Sequence, residues 1–246
     1  MYIIDDGIKL DAELAMPADG RDKCPIVIII HGITGNKDEK HLMAVSDMLV
    51  QNGFATLRVD MYGHGKSEGT FYDHTYFKWM TNAMTIIDYA RKLDFVTDIY
   101  LCGHSQGGTT AMLAAALKHE FIKGLIALSP SAMRPELARK GSFFGNTFDP
   151  DNIPEEFELW GDRKISGNYI RVSQTLHVEE YIDRYKGPVL IVVGTEDSPE
   201  LVASTEDAAE RYSDCEYVRI EGDTHCYDNH PDLMVDAVRN WIVKMK

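Results

Sequence analysis

The chain contains 246 residues, of which 44% are hydrophobic and 26% charged, a composition typical of one globular α/β domain. The 25 Lys and Arg residues against 39 Asp and Glu residues give a net charge of −14. This charge repels phosphate groups and anionic lipid heads, so we expect neither nucleic acid nor a membrane as a partner. The longest apolar run, Ala111 to Leu117, is far shorter than the ~20 residues that cross a bilayer.

The first residues contain no basic segment, apolar segment or small-residue cleavage site, so no export signal is expected. The four cysteines form no CxxC pair and are expected to be reduced thiols of a cytoplasmic protein. No group of His, Cys and carboxylate residues has the spacing of a zinc site, so neither a metal nor another cofactor is expected. These features are compatible with a homodimer as well as with a monomer.

In chain order, the first elements predict a short N-terminal hairpin followed by an α/β core. Apolar residues alternate from Ile8 to Met16 after an Asp-Asp-Gly turn signal, as in a hairpin strand. Short, continuously apolar runs then alternate with amphipathic helical segments. Such runs are typical of a mostly parallel, twisted sheet covered by helices on both faces. The six runs are Ile26–Ile30, Phe54–Val59, Ile99–Leu101, Leu125–Leu128, Val189–Val193 and Tyr217–Ile220.

Helices are predicted between these strands. One begins after Ser198, which can cap it with Pro199 at its first position, and the last begins near Pro231. Residues 131–186 interrupt the alternation with aromatic residues and turn signals, including Gly161-Asp162 and Gly167-Asn168. We interpret them as a partly hairpin cap, inserted between the sixth and seventh core strands of a single domain spanning 1–246. Such long insertions are usually functional.

The motif G-x-S-x-G occurs twice, around Ser105 and around Ser67. A nucleophile elbow requires the serine on a tight turn directly between a buried strand and a helix. Ser105 meets this requirement, because a strand ends at Gly103 and a helix of small residues follows at once. Ser67 lies well past its strand, with no helix immediately after it. We therefore predict Ser105 as a nucleophile and Ser67 as a loop residue.

The same loop imitates the end of a phosphate-binding motif, with Gly65-Lys66-Ser67 matching G-K-S. The first glycine of that motif falls on Asp60, whose carboxylate would repel phosphate, and the required helix is missing. A nucleotide site is not expected.

A serine nucleophile needs an imidazole base and an acid that orients it. The last two core strands end in segments that contain Asp197 and His225, in the chain order of this type of triad. We predict Asp197 as the acid and His225 as the base. Glu196 is the alternative acid, and His230 the alternative base, although its place before Pro231 suggests a capping role.

The remaining candidates concern the developing oxyanion and the other histidines. One oxyanion donor is expected to be the backbone N–H of Gln106, at a helix N-terminus that favours negative charge. The other is expected in the loop after the first core strand, from Ile33 or alternatively Thr34. Three histidines, His31, His64 and His104, are predicted to have structural hydrogen bonds.

Together these segments resemble the α/β-hydrolase superfamily, with the elements in order over nearly the whole length. They are His31-Gly32, Asp60 to Ser67, the elbow Gly103 to Gly108, Asp197 and Gly222-x-x-His225. The length, the elbow and the place of the insertion are similar to bacterial cinnamoyl or feruloyl esterases. That resemblance implies hydrolysis of esters of ferulate, p-coumarate or caffeate, such as occur in plant cell walls, through an acyl-enzyme on Ser105 and without a cofactor.

The cap is expected to select the aromatic acyl group of this small-molecule ester. A planar phenolic ring needs aromatic or apolar walls, and we predict Trp160 and Tyr169 for this purpose because they flank the turn of the expected hairpin. Thr34 is also predicted to contact substrate. The competing functions are a monoacylglycerol lipase, a thioesterase or a general carboxylesterase of the same fold, and a non-catalytic receptor that only binds its ligand.

Overall fold

The N-terminal hairpin is confirmed by the computed structural model, which describes residues 1–245. Lys246, the last residue of the expected domain, lies outside the described residues. Strands β1 (Tyr2–Asp5) and β2 (Ile8–Ala15) pair antiparallel. Their turn contains Asp6 and Gly7 with φ of 47° and 82°, and a two-residue hairpin turn of type I′ requires positive φ at both positions.

Strands and helices then alternate, as the sequence predicts. The elements up to the insertion are β3 (Cys24–Ile30), α1 (Lys40–Gln51), β4 (Ala55–Val59), α2 (Tyr76–Ala90), β5 (Val96–His104), α3 (Gln106–Leu117) and β6 (Ile122–Leu128).

The segment between β6 and the next core strand leaves the sheet. It contains two short antiparallel hairpins, which confirms the partly hairpin interpretation. The expected turn at Gly167-Asn168 is wrong, because a helix begins there and Ser166 Oγ accepts the N–H of Asn168 at 3.2 Å. The elements are α4 (Arg134–Arg139), β7 (Ser142–Phe143), β8 (Asn146–Thr147), β9 (Glu156–Glu158), β10 (Lys164–Ser166), α5 (Gly167–Gln174) and α6 (Val178–Ile182).

The last elements return to the core as β11 (Val189–Gly194), α7 (Pro199–Arg211), β12 (Cys215–Ile220) and α8 (Pro231–Ile242), followed by a 3₁₀ turn at Val243–Met245. Ser198 caps α7 as predicted, with its Oγ accepting the N–H of Leu201 at 3.3 Å. The eight-stranded sheet has the order β1-β2-β4-β3-β5-β6-β11-β12. From β4 to β12 all neighbouring strands are parallel, and β2 joins them antiparallel to β4.

Both faces of the sheet are buried, which explains the continuously apolar strands. In β3, Ile26 and Ile28 pack in a core with α2 and α3, whereas Val27 and Ile29 pack on the opposite face with α1 and α8. Residues that follow one another in a strand point to opposite faces, so every position meets a helix layer. Since the strands are parallel, the loops after β3, β5, β11 and β12 meet at one edge of the sheet.

Candidate active site

Ser105 lies at a tight turn between β5 and α3. Its backbone has φ of 55° and ψ of −118°. Residues other than glycine rarely adopt this backbone conformation, which costs of the order of 1–3 kcal/mol. A Cβ at Gly103 would lie 2.1 Å from the carbonyl oxygen of Gly107, and one at Gly107 would lie 2.3 Å from that of His31. Only glycine fits at both positions, because the turn is tight at Gly103 and lies against the end of β3 at Gly107.

The side chains of Asp197 and His225 come together from the ends of β11 and β12. His225 Nδ1 donates to Asp197 Oδ2 at 2.5 Å, and Asp197 Oδ1 accepts the N–H of Ser198 at 2.8 Å. The two bonds fix the carboxylate and leave the other ring nitrogen of His225 for a further partner. Glu196, the alternative acid, is exposed to solvent.

Neither His230 nor Ser67 takes part in this pairing. His230 is exposed at the residue before α8 and makes no side-chain cap. Ser67 Oγ donates to the carbonyl of Asp60 at 2.5 Å and accepts the N–H of Asp11 at 2.8 Å. Ser67 therefore ties its loop to β2.

Asp60 is not placed to meet a phosphate. Its buried carboxylate accepts the backbone N–H of Lys37 at 2.7 Å and that of Lys66 at 2.9 Å. It also forms an ion pair with Lys37 Nζ at 3.2 Å. The loop that imitates a phosphate-binding motif is thus a structural connection.

A cavity of about 310 Å³ contains most of the predicted site residues. Ser105, Asp197 and His225 lie in its wall, as do three other predicted residues. The cap supplies Trp160, which is 51% exposed, and the loop after β3 supplies Ile33 and Thr34. The remaining lining residues are Gly32, Glu39, His104, Ser131, Arg134, Phe144, Ser198, Leu201 and Cys226.

The two residues predicted to donate backbone N–H groups to an oxyanion follow β5 and β3. Gln106 is the first residue of α3, and the first N–H groups of a helix have no acceptor within the helix. Ile33 lies in the loop opposite, followed by Thr34 at φ of 71°. The carbonyl of Thr34 accepts a hydrogen bond from Arg163 of the cap at 3.4 Å, which connects this loop to the insertion.

Tyr169 is not a wall residue of the cavity, contrary to the prediction. It lies on the buried face of α5, is only 1% exposed, and packs on Tyr76 and Phe143. Its hydroxyl donates to Gln106 Oε1 at 2.8 Å. The prediction failed because it assumed a hairpin turn next to Tyr169, where the chain forms a helix that turns this side chain inward.

Several cavity residues were missed by the sequence analysis, and two of them, Arg134 and Glu39, carry ionisable side chains. Arg134 lies with its guanidinium carbon 3.8 Å from the ring centre of Phe144, and burial lowers its pKa. Burial raises the pKa of Glu39 to about 7, against smaller opposing effects of the Gly32 N–H and His225. A carboxylate between β3 and α1 is an ordinary loop residue in a sequence, so no local pattern marks it.

The histidines expected to be structural do have hydrogen bonds to the backbone. His31 Nδ1 lies 2.7 Å from the carbonyl of Gly32, and its Nε2 accepts the N–H of Met61 at 3.0 Å. His64 Nδ1 lies 2.9 Å from the carbonyl of Tyr62. Burial lowers the pKa of His64 to about 4, so it is neutral at pH 7.

Comparison with known proteins identifies the family. The sequence profile of the serine aminopeptidase S33 hydrolases matches residues 21–146. The chain is also 53% identical to Est1E from Butyrivibrio proteoclasticus in a structure with ferulic acid bound, with a TM-score of 0.98 and coverage of 100% of this chain and 98% of that one. The chain belongs to the α/β-hydrolases. Within that superfamily it is a carboxylic ester hydrolase.

More distant curated relatives of this α/β-hydrolase include lipases. A putative esterase/lipase of Haemophilus influenzae is 24% identical, with coverage of 89% of this chain and 84% of that protein. Mouse monoglyceride lipase is 32% identical over 119 residues, which are 46% of this chain and 37% of the lipase.

Across residues 1–245, no helix has both the length and the apolar character that spanning a bilayer requires.

Proposed function

We propose that this chain hydrolyses esters of hydroxycinnamic acids, such as ferulate, p-coumarate and caffeate, with plant sugars or small alcohols. The observation that carries the proposal is the 53% identity, over the whole chain, to an Est1E structure with ferulic acid bound. The cavity supports it, because Trp160 and Phe144 form an aromatic pair with ring centres 4.8 Å apart in the wall that also contains Ser105. Aromatic walls suit a planar acyl group.

In the proposed reaction, Ser105 Oγ attacks the ester carbonyl while His225 takes its proton. Asp197 holds the ring of His225 in the required tautomer and stabilises the imidazolium that forms. The backbone N–H groups of Gln106 and Ile33 then meet the negative charge on the former carbonyl oxygen, with Thr34 as the alternative second donor.

The tetrahedral intermediate collapses as His225 returns the proton to the leaving alcohol, which leaves the hydroxycinnamoyl group on Ser105. Water, deprotonated by His225, attacks this acyl-enzyme, and His225 returns the proton to Ser105 Oγ as the acid is released. In this reaction the cap, residues 131–186, acts as the lid of the acyl pocket through Trp160, and Tyr169 acts indirectly by holding Gln106. The four free cysteines fit a reducing compartment such as the cytoplasm.

Labelling with a fluorophosphonate tests the nucleophile, because the chain contains a matched control for Ser105. Ser105→Ala should abolish labelling, whereas Ser67→Ala, in the second G-x-S-x-G motif, should leave it intact. Labelling that persists in Ser105→Ala contradicts the assignment. A native protein that is never labelled favours the non-catalytic receptor.

A panel of rates tests the substrate class. We expect kcat/KM to be higher for methyl ferulate than for p-nitrophenyl acetate and long-chain monoglycerides. A lipase or a thioesterase would instead turn over long-chain monoglycerides or acyl thioesters faster. Preference for those acyl chains would overturn the hydroxycinnamate proposal and leave the serine esterase assignment intact.

A further inference from the structure

Three side chains that each have one polar atom without a hydrogen-bond partner converge beside the active-site cavity. Each of Glu39, His41 and His104 has one buried atom that no other described residue contacts by a hydrogen bond, namely Oε2, Nε2 and Nδ1. One ligating atom from each of the three side chains lies within 4.8 Å of those from the other two. An unpartnered buried polar atom costs about 1–3 kcal/mol, so three at one place indicate a missing partner that they share.

The hydrogen bonds of the two rings leave one nitrogen of each available at this place. His104 Nε2 lies 2.8 Å from the carbonyl oxygen of His225, and because a carbonyl only accepts, Nε2 must carry the hydrogen. Nδ1 of His104 is then an acceptor. Nε2 of His41 has no hydrogen-bond partner among the described residues. The residues His104 and His41 are 2% and 7% exposed, respectively.

We propose that Glu39, His41 and His104 bind a divalent transition-metal ion of the zinc type. Neutral imidazole nitrogens and a carboxylate oxygen are the ligands that Zn²⁺ and Co²⁺ take in proteins, commonly as three protein ligands with an open position. Mg²⁺ and Ca²⁺ prefer oxygen ligands alone and are poor occupants of a site with two nitrogens. The hydrogen bond from His104 to the carbonyl of His225 is the outer contact that orients a metal-ligating histidine.

The ion would enter from the active-site cavity. Glu39 and His104 both lie in the cavity wall, whereas His41 lies behind them with its ring centre 4.4 Å from that of His104. The ring of His104 is in turn 4.8 Å from that of His225. If the proposed esterase reaction holds, a dication here opposes the positive charge that His225 acquires during turnover. Bound metal therefore slows hydrolysis.

Binding is tested on the full chain after treatment with a chelator, by titration with Co²⁺ and Zn²⁺. We expect one equivalent of Co²⁺ to give the visible absorption of a site with nitrogen ligands, and Zn²⁺ to displace it. Glu39→Gln, which preserves shape, and His41→Leu, which fills the space with an apolar group, should each weaken affinity. Loss of a ligand should exceed the roughly 10- to 100-fold effect of losing an outer hydrogen-bond partner.

The matched control is His177→Ala, which removes a histidine that lies 3.2 Å from Glu179 on the surface. It should bind like the native protein. No uptake by the native protein, or affinity unchanged in either cluster variant, overturns the proposal; the first result favours a water molecule as the shared partner. Thermal unfolding of each variant establishes that it is folded.

The effect on the reaction is measured separately, so that failure of the esterase proposal does not affect the binding result. Zn²⁺ at saturation should lower kcat at least tenfold in the native protein and in His177→Ala. Relative to its own metal-free rate, Glu39→Gln should be unaffected by the same concentration. Equal inhibition of Glu39→Gln would place the inhibiting ion elsewhere and overturn the proposed effect on the reaction.

Discussion

The hydroxyl of Tyr169 donates a hydrogen bond to the side-chain oxygen of Gln106, the residue that follows the proposed nucleophile. The cap thereby stabilises the first turn of α3 through a side-chain hydrogen bond. Tyr169→Phe should leave Gln106 without this partner and lower the free energy of unfolding by about 1–3 kcal/mol. The rate should fall by the same factor on methyl ferulate and p-nitrophenyl acetate.

Chemical denaturation and the two rates measure this outcome. Tyr72→Phe, which removes a hydroxyl from an exposed tyrosine, is the control and should unfold like the native protein. A loss of rate on methyl ferulate alone would instead indicate that Tyr169 contacts the acyl group.

Substitutions can distinguish Asp197 from Glu196 as the acid of the proposed triad. Asp197→Asn removes the carboxylate that accepts from His225 Nδ1, so the ring no longer keeps the tautomer that a base requires. We expect kcat to fall by roughly 10⁴, as in other triads, with little change in stability. Glu196→Gln alters an exposed side chain and should retain nearly full activity. Steady-state kinetics on both variants decide the assignment, and reversed losses would move the acid to Glu196.

Trp160 is the cap residue whose exposed ring reaches the cavity. Trp160→Ala should remove one aromatic wall of the acyl pocket and lower kcat/KM more for methyl ferulate than for p-nitrophenyl acetate. The expected difference is about 10- to 100-fold, since burying an aromatic face contributes roughly 1.5–3 kcal/mol. Phe77→Ala, at an exposed aromatic residue on α2, is the control. Equal losses on both esters would contradict a selective role.

Lys37 is a buried cation, 4% exposed, between the carboxylates of Asp11 at 2.6 Å and Asp60 at 3.2 Å. Lys37→Met leaves both acids without this charge and should lower the free energy of unfolding by about 3–5 kcal/mol. Lys9→Met removes the exposed ion pair with Glu68 and should cost less than about 1 kcal/mol. Urea denaturation of both variants measures the difference, and similar losses would contradict it.

The direction in which the pKa of Lys37 is shifted determines how this ion pair's contribution to stability depends on pH. Burial alone would lower the pKa of Lys37, but the hydrogen bonds and charges of Asp11 and Asp60 outweigh it and raise the pKa. A raised pKa contributes stability that is fully present below the unfolded value of about 10.4 and is lost only above it. The difference between Lys37→Met and the native protein should therefore be constant from about pH 6 to pH 9.

The strands and the nucleophile turn were predictable because one local constraint determines each. Buried parallel strands need apolar residues on both faces, and Ile26–Ile30 has them. The turn at Ser105 needs glycines where a Cβ would meet backbone, and Gly103 and Gly107 supply them. Ser198 and Pro199 mark the start of α7 for similarly local reasons.

The cap and the Glu39 cluster were not predictable in this way. Which face of α5 carries Tyr169 depends on where a helix begins within a segment rich in turn signals. Glu39 and His41 lie close to His104 only because the end of the loop after β3 and the start of α1 pack against the nucleophile turn, which is more than 60 residues later in the chain. The atoms of these side chains that lack hydrogen-bond partners can be recognised only in the folded chain.

The strained backbone of Ser105 also affects the thermal stability of the protein. Glycine adopts its positive φ without penalty, so Ser105→Gly should release much of the roughly 1–3 kcal/mol held at that turn. A preparation without its nucleophile should thus survive heating longer than the active protein. Selection for resistance to heat alone would then favour inactive variants. A screen for thermostable variants therefore needs to measure catalytic activity as well.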